Sequence, residues 1–342
     1  MKVTSKKALQ DHLPSSGEFK SLRARYDTLA AAMNTQIHPL VTTYANLATG
    51  SFFSDHGVQH ISDVIKSAQR LLQDATGQIS AYELFILLVA INYHDIGNMF
   101  GRFEHEEKIS EVLDKFFTAA SFDQLDRALA IQVASKHGGA TNGNKDKLSE
   151  LERSTTWKNV PVRPQLLAAL LKLADELSEH NRRGDQTALS AGILKGHESE
   201  IHHVFACSVN NLMPDFKSGS VDYRFFLTLD TLKREYAWRS GSTIKILEYI
   251  YQRVIKTYLE CVYCSKYARG FFFFDRVNVR IEIFDSQKPI KLMELALRIE
   301  GESSYPSEAD LSKHASILKC EGRSQPPSSN DVLTELGVTA DG

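Results

Sequence analysis

The chain carries almost no net charge. Its 40 Lys and Arg against 42 Asp and Glu leave −2, so no global field draws it to nucleic acid or to an anionic membrane; only a local basic patch could serve either. Cysteine is scarce. Four in 342 residues do not suggest a disulfide scaffold, and a reducing, cytoplasmic location fits best. Long apolar runs are missing too: Leu84 to Ile91 is far short of the roughly 20 residues that a membrane-spanning helix needs. Met1 to Gln10 carries lysines with no apolar stretch behind them, so no signal peptide is expected. Neither a Gly-x-x-x-x-Gly-Lys-Ser/Thr loop nor a Rossmann fingerprint occurs, which leaves nucleotide binding without its usual glycine-rich signatures. No internal repeat is found.

What is present reads as an ordinary globular protein, with 42% hydrophobic and 24% charged residues and length for one large or two ordinary domains. Leu22 to Leu47 reads as helix, interrupted near His38-Pro39 because proline disfavours a helical residue before it. A loop, Thr49 to Gly57, follows. His60 then opens a segment whose Ile61, Val64, Ile65, Ala68, Leu71 and Leu72 fall on one helical face. Leu84 to Ile91 is apolar all round, as in a central buried helix, and stops at His94-Asp95-Ile96-Gly97. Ile109 to Phe117 is amphipathic. Ser121 with Gln124 predicts a capping box for a helix reaching Lys136, and His137-Gly138-Gly139 ends it. Asn142 to Asn159 is loop-like. Pro164 starts a further helix with Leu166, Leu167, Leu170, Leu171, Ala174 and Leu177 on one face.

After Gly184 the pattern changes. Strands are expected near 203–209 and 223–229, joined as a hairpin across Pro214 to Gly219, and near 276–284, where Val277, Val279, Ile281 and Ile283 alternate with Asn278, Arg280 and Glu282. Ile244 to Tyr267 reads as helix. From Gly301 the chain is rich in Ser, Pro, Glu and Lys. The expectation is a mainly α protein: a helical domain with an N-terminal extension over 1–190, a smaller α+β region over 191–300, and a flexible tail over 301–342.

His94-Asp95 means little alone, since twelve histidines make a chance His-Asp pair expected about once per chain. Its setting matters more. It ends an apolar helix, where unpaired polar groups are costly and a cation would offset the cost. His60 at a helix start, His137 at a helix end and Asp175 inside a leucine-rich helix share that setting. Imidazoles and carboxylates converging from several helices are how helical bundles assemble metal sites.

The order of these residues resembles the HD phosphohydrolase superfamily: a His, then His-Asp, then a distant Asp, on a helical core. Here it reads His60-Ile-Ser-Asp-Val64, Tyr93-His94-Asp95-Ile96-Gly97 and Leu173-Ala174-Asp175-Glu176-Leu177, over residues 50 to 185. Many members add two histidines for a second metal. His105 in Gly101-Arg102-Phe103-Glu104-His105 and His137 in Ser135-Lys136-His137-Gly138 occupy matching places. The resemblance implies one ion on His60, His94, Asp95 and Asp175, and a second, bridged by Asp95, on His105 and His137. One departure stands out: Asn98 lies where members often carry a lysine. Arg102 is the candidate replacement cation, and Lys136 and Arg183 are further candidates for phosphate contact.

A mixed nitrogen and oxygen donor set favours Mn, Fe, Co, Ni or Zn and leaves Mg open. Such ions lower the pKa of water and, in pairs about 3.5–4 Å apart, clamp a phosphoryl group. The expected activity is therefore cleavage of a phosphate ester of a nucleotide or nucleotide-derived signal. The competing reading is a non-catalytic metal-containing module that senses a nucleotide or binds a protein partner, and Asn98 is the feature in its favour. His56 could assist the site, though loop histidines are usually solvated. Cys261-Val-Tyr-Cys264 has zinc spacing, but it lacks a second pair and reads as helix. Phe271 to Phe274 suggests a buried strand start or an interface, including a homo-oligomer contact.

Overall fold

The computed structural model describes residues 1–73, 75–117, 123–138, 145–301 and 315–338. They form two compact units, 1–178 with 263–273, and 179–262 with 274–342. The helical domain thus ends near Ser178 and takes back a later segment, which contiguous boundaries in sequence could not anticipate. Tyr263 shows why the segment belongs there: its hydroxyl accepts from Leu148 N at 2.9 Å and donates to Asp146 at 2.8 Å. Gly77 N also donates to the Gly270 carbonyl, at 2.6 Å.

The first unit contains α1 (Ser21–Gln36), α2 (His38–Thr49), α3 (Val58–Gln73), α4 (Ala81–Tyr93), α5 (Ile109–Phe116), α6 (Gln124–Ala134), a small hairpin of β1 (Thr155–Trp157) and β2 (Val160–Val162), and α7 (Pro164–Glu176). The break between α1 and α2 falls at Ile37, with Pro39 in the first turn of α2. α4 is the central helix. Every residue from Leu84 to Ile91 is fully buried, and the helix is started by a capping box of Ser80 and Glu83. Polar backbone can sit this deep because an α-helix satisfies its own hydrogen bonds. Ser121 lies outside the described residues; α6 is capped by Asp123, which accepts from Leu125 N and Asp126 N. The hairpin occupies the end of the stretch expected to be loop.

The second unit contains α8 (Gln186–Ser190), α9 (Glu200–Ser208), β3 (Val209–Asp215), β4 (Ser220–Thr228), α10 (Leu229–Lys233), the short pair β5 (Tyr236–Ala237) and β6 (Thr243–Ile244), α11 (Ile246–Tyr267), which runs across the division at residue 262, then β7 (Arg276–Phe284), β8 (Lys291–Ile299), β9 (Leu318–Cys320) and α12 (Ser329–Glu335). The main sheet has the order β3-β4-β7-β8-β9. β4 and β7 are parallel, with α11 in the crossover between them, and the other pairs are antiparallel. The strands at 220–228 and 276–284 match expectation.

Three expectations need correction. Residues 203–208 are helix, not strand. Ile201, Val204, Phe205 and Ser208 share a buried helical face, so the 3.6-residue period overrides their β-branched and aromatic composition; the hairpin's first strand is instead β3. The expected tail holds β9 and α12 within residues 315–338, because β9 pairs with β8 and Ser328 with Asp331 caps α12. Finally, Phe271, Phe272 and Phe274 are buried and only Phe273 is exposed, which removes the apolar patch on which an expected interface rested. No described helix is long and apolar enough to cross a membrane.

Candidate metal centre

Four helices and one turn of the first unit bring six side chains together. His60 comes from the first turn of α3, His94 and Asp95 follow the end of α4, His137 follows α6, and Asp175 is in the last turn of α7. His105 stands on the short turn His105–Glu107. Gly97 makes this close approach feasible: a Cβ there would collide with the His105 carbonyl. All the residues named from the sequence as metal ligands are therefore neighbours.

The two oxygens of Asp95 face different partners. Oδ2 lies 3.3 Å from His60 Nε2 and 3.4 Å from His94 Nε2, while Oδ1 lies 3.4 Å from His105 Nε2 and 3.6 Å from His137 Nε2. Asp175 Oδ1 completes the first set, 3.2 Å from His60 Nε2 and 3.7 Å from His94 Nε2. Despite these distances, neither nitrogen of His60 and not Nε2 of His94 is aligned for a hydrogen bond, although both rings are fully buried. Orphaned buried nitrogens are expensive. The spacing itself suggests what would relieve them. Ligands bound at about 2.0–2.2 Å to one ion lie roughly 2.8–3.6 Å from each other in octahedral or tetrahedral arrangements.

The ring orientations agree. His94 Nδ1 donates to the Ile91 carbonyl at 2.8 Å, His105 Nδ1 to that of Arg102 at 3.1 Å, and His137 Nδ1 to that of Ala134 at 2.7 Å. Each carbonyl lies three residues back and consumes the Nδ1 proton, leaving the Nε2 lone pair aimed inward. The residues thus fit one or two divalent cations: in each of three overlapping groups, His60-His94-Asp95, His94-His137-Asp175 and Asp95-His105-His137, the ligand atoms lie within 4.8 Å of one another.

The electrostatics carry the same message. Burial alone would raise both carboxyls, yet the imidazoles around them hold Asp95 and Asp175 well below the usual range. Burial disfavours a charged His94, but Asp95 and Asp175 outweigh it and push its pKa up to about 10. Carboxylates that favour the charged form of an imidazole also suit a cation, which would bind in exchange for that proton. His137 shifts the other way, lowered chiefly by burial. Among the six side chains Asp175 is the most open, at 28% exposure against 12% or less for the rest, so solvent reaches the cluster on its side.

The candidate phosphate contacts separate. Arg102 Nη1 lies 3.2 Å from His56 Nε2, and its guanidinium sits 5.8 Å from the Phe53 ring centre. His56 Nε2 is in turn 4.0 Å from Asp95 Oδ2, so Arg102 stands at the edge of the cluster. Lys136 is committed to Glu150 at 2.6 Å. Arg183 belongs to the second unit and pairs with Glu179 at 3.6 Å. Cys261 and Cys264 are buried in α11, and neither forms a disulfide.

Reading the sequence missed three contacts. Asn98, the residue that departs from the HD pattern, donates its amide to Asp95 Oδ1 at 3.1 Å; the three-residue spacing within one tight turn was the available signal. Lys172 donates to the His137 carbonyl at 2.9 Å, and it precedes Asp175 by one turn of α7. Glu106 lies 3.2 Å from His105 Nδ1, a contact without a sequence signal because its burial is a tertiary property.

Comparison with curated proteins and with solved structures gives no match. A family match does exist, over residues 50–253, to HD-CE. The matched span is more than half of the chain and contains all six clustered residues, and so the chain belongs to the HD-CE family, an HD-type domain family.

Proposed function

We propose that this protein is a metal-dependent phosphohydrolase that cleaves a phosphate ester of a nucleotide or nucleotide-derived signal. The observation that carries the reading is Asp95, whose two carboxylate oxygens face two separate sets of imidazoles at 3.3–3.6 Å. In this reading His60, His94, Asp95 and Asp175 hold one cation, and Asp95, His105 and His137 a second. Bound there, divalent cations supply Lewis acidity, acidifying water and neutralising phosphoryl charge.

The chain's own residues do the rest. The backbone carbonyls of Ile91, Arg102 and Ala134 keep three imidazoles in the ligating tautomer. Asn98 orients the Asp95 carboxylate through Oδ1, so its presence in place of lysine serves the ligand set. Arg102, steadied by His56 and Phe53, offers the guanidinium that meets phosphoryl oxygens as negative charge grows on them. The nucleotide class comes from the HD resemblance. Four cysteines with no disulfide among them support a reducing, cytoplasmic setting.

The test is elemental analysis of the purified protein with a hydrolysis screen over nucleotides and cyclic or polyphosphorylated derivatives in Mn, Mg, Co and Ni. Turnover that needs metal and vanishes in Asp95→Ala is the expected result. Full metal loading without hydrolysis of any phosphate ester would overturn the enzyme reading in favour of a ligand-sensing module.

A further inference from the structure

Behind His105 lies a buried ion pair that the metal-centre reading does not use. Glu106 is 2% exposed and Lys147 3%, and Lys147 Nζ meets Glu106 Oε1 at 2.7 Å. The other carboxylate oxygen, Oε2, lies 3.2 Å from His105 Nδ1. Burying two charges is a poor way to gain stability, since apolar replacements of a buried pair are often neutral or better. Their contact with a candidate ligand suggests another use.

The pair is fixed at both ends. Next to Lys147, Asp146 accepts from the hydroxyls of Tyr263 and Tyr267 at 2.8 and 2.9 Å, and Leu148 N donates to Tyr263. On the other side, Glu104 adopts φ 50° and ψ 33°, a left-handed conformation that L-residues adopt at a cost. Gly97 packs directly under the His105 carbonyl. The turn that aims His105 is therefore imposed by its surroundings. His105 also differs from its neighbours. The Nδ1 atoms of His94 and His137 face neutral carbonyls, whereas that of His105 also faces a carboxylate. A carboxylate behind an imidazole fixes its tautomer and raises its basicity as a ligand.

We propose that Glu106 and Lys147 are positioning residues that, acting through His105, set the affinity of the second cation at the Asp95-His105-His137 group. The proposal rests on the two-cation reading above and deepens it. Of the first cation's ligands only the shared Asp95 touches this chain of contacts, through His105, so the second ion's affinity should respond far more than the first's.

The experiment is Mn(II) binding to the full-length protein, by equilibrium dialysis with electron paramagnetic resonance to detect spin coupling between two ions. Thermal melts accompany each variant. Glu106→Gln should weaken the second ion by about 10–100-fold, as outer-shell changes do, with the first ion little changed and coupling lost at low Mn. Lys147→Met should do the same, and Lys147→Arg should restore much of the affinity. The double variant Glu106→Gln/Lys147→Met leaves no unpaired buried charge, so it tests the idea even if Lys147→Met fails to fold. Its loss should resemble that of Glu106→Gln alone, because the residues act as one unit. Two ions with unchanged affinities in Glu106→Gln and the double variant, even with lowered melting temperatures, would overturn this proposal alone. A wild-type protein that takes a single ion would overturn the two-cation reading and this proposal with it.

Discussion

His105 and His137 point their Nε2 atoms at each other across 3.3 Å. Both give their Nδ1 protons to carbonyls three residues back, so both Nε2 atoms turn inward, 3.4 and 3.6 Å from Asp95 Oδ1. A divalent cation among these three atoms would take both inward nitrogens and the carboxylate oxygen as ligands. His137→Ala should therefore lower the bound metal by about one ion per chain while leaving the helical fold intact, because loss of a ligand costs metal affinity more than packing. His105→Ala should act alike. Inductively coupled plasma analysis of dialysed protein, with circular dichroism as the fold control, checks both; unchanged stoichiometry in the two variants means a mononuclear site.

Asp95 touches both sets, so its loss should be the most damaging. Asp95→Ala removes the bridge and one negative charge from a pocket rich in imidazoles. Both ions should weaken and turnover should fall to background. Asp95→Asn keeps the shape but offers only one oxygen, and should retain at most one ion with turnover lowered at least about 10²-fold, the scale at which a preorganised electrostatic contact is lost. Bound metal and hydrolysis rate measured on the same preparations decide this, and full activity in either variant would remove metal-activated hydrolysis as the mechanism.

The candidate site was legible because the six residues combine rare chemistry with position. Each sits at or near a helix end or within an apolar helix, and their order follows the HD pattern. The strand β7 was legible from strict alternation. Where the sequence misled, tertiary pairing decided the outcome. β8, Lys291-Leu-Met-Glu-Leu-Ala-Leu-Arg-Ile299, is built from good helix formers and becomes a strand by pairing along β7. β9 is three residues long and has no signal apart from its partner. The α9 segment looked like strand by composition although its buried positions follow helical spacing. Glu106 and Lys147 are 41 residues apart, and nothing in either neighbourhood marks them as buried or paired.

Glu83 gives a prediction about pH. Its carboxylate accepts from Arg163 Nε and Nη2, each at 2.8 Å, and from Ser80 N at 2.9 Å. Burial would raise this carboxyl, but Arg163 and the backbone donors hold it below its ordinary value of 4.5. A depressed folded pKa contributes stability that is present above the unfolded value and is lost as pH falls through the folded one. Glu83→Gln should therefore destabilise by about 1–3 kcal/mol at pH 7, toward the low end because Arg163 is partly solvated. The gap to wild type should close on acidification below about pH 4.5, where wild-type Glu83 becomes neutral too. Thermal melts of metal-free protein from pH 7 to 3 measure it, and a gap independent of pH would assign the loss to packing instead of charge.

Arg102 and Lys136 offer the sharpest contrast, since both are cations adjacent in sequence to candidate ligands or their loops. Arg102 meets His56 at 3.2 Å, and His56 in turn lies 4.0 Å from Asp95, so its guanidinium is within a side chain's movement of the cluster. Lys136 is held by Glu150 at 2.6 Å and would have to give up that pair to reach a phosphoryl group. Arg102→Ala should lower kcat by about 10²-fold, the effect expected for one donor aimed at developing charge, while metal stoichiometry stays at the wild-type value. Arg102→Lys keeps the charge but not the planar fork, so it should recover only part of the rate. Lys136→Ala should change kcat by less than about threefold, because losing a partly exposed ion pair is worth at most about 1 kcal/mol of stability and touches no reacting atom. Steady-state rates on the substrate found by the hydrolysis screen, paired with metal analysis, give the answer. If Arg102→Ala matches wild type and Lys136→Ala does not, the phosphoryl contact moves to Lys136, and its pairing with Glu150 becomes a resting arrangement that substrate displaces.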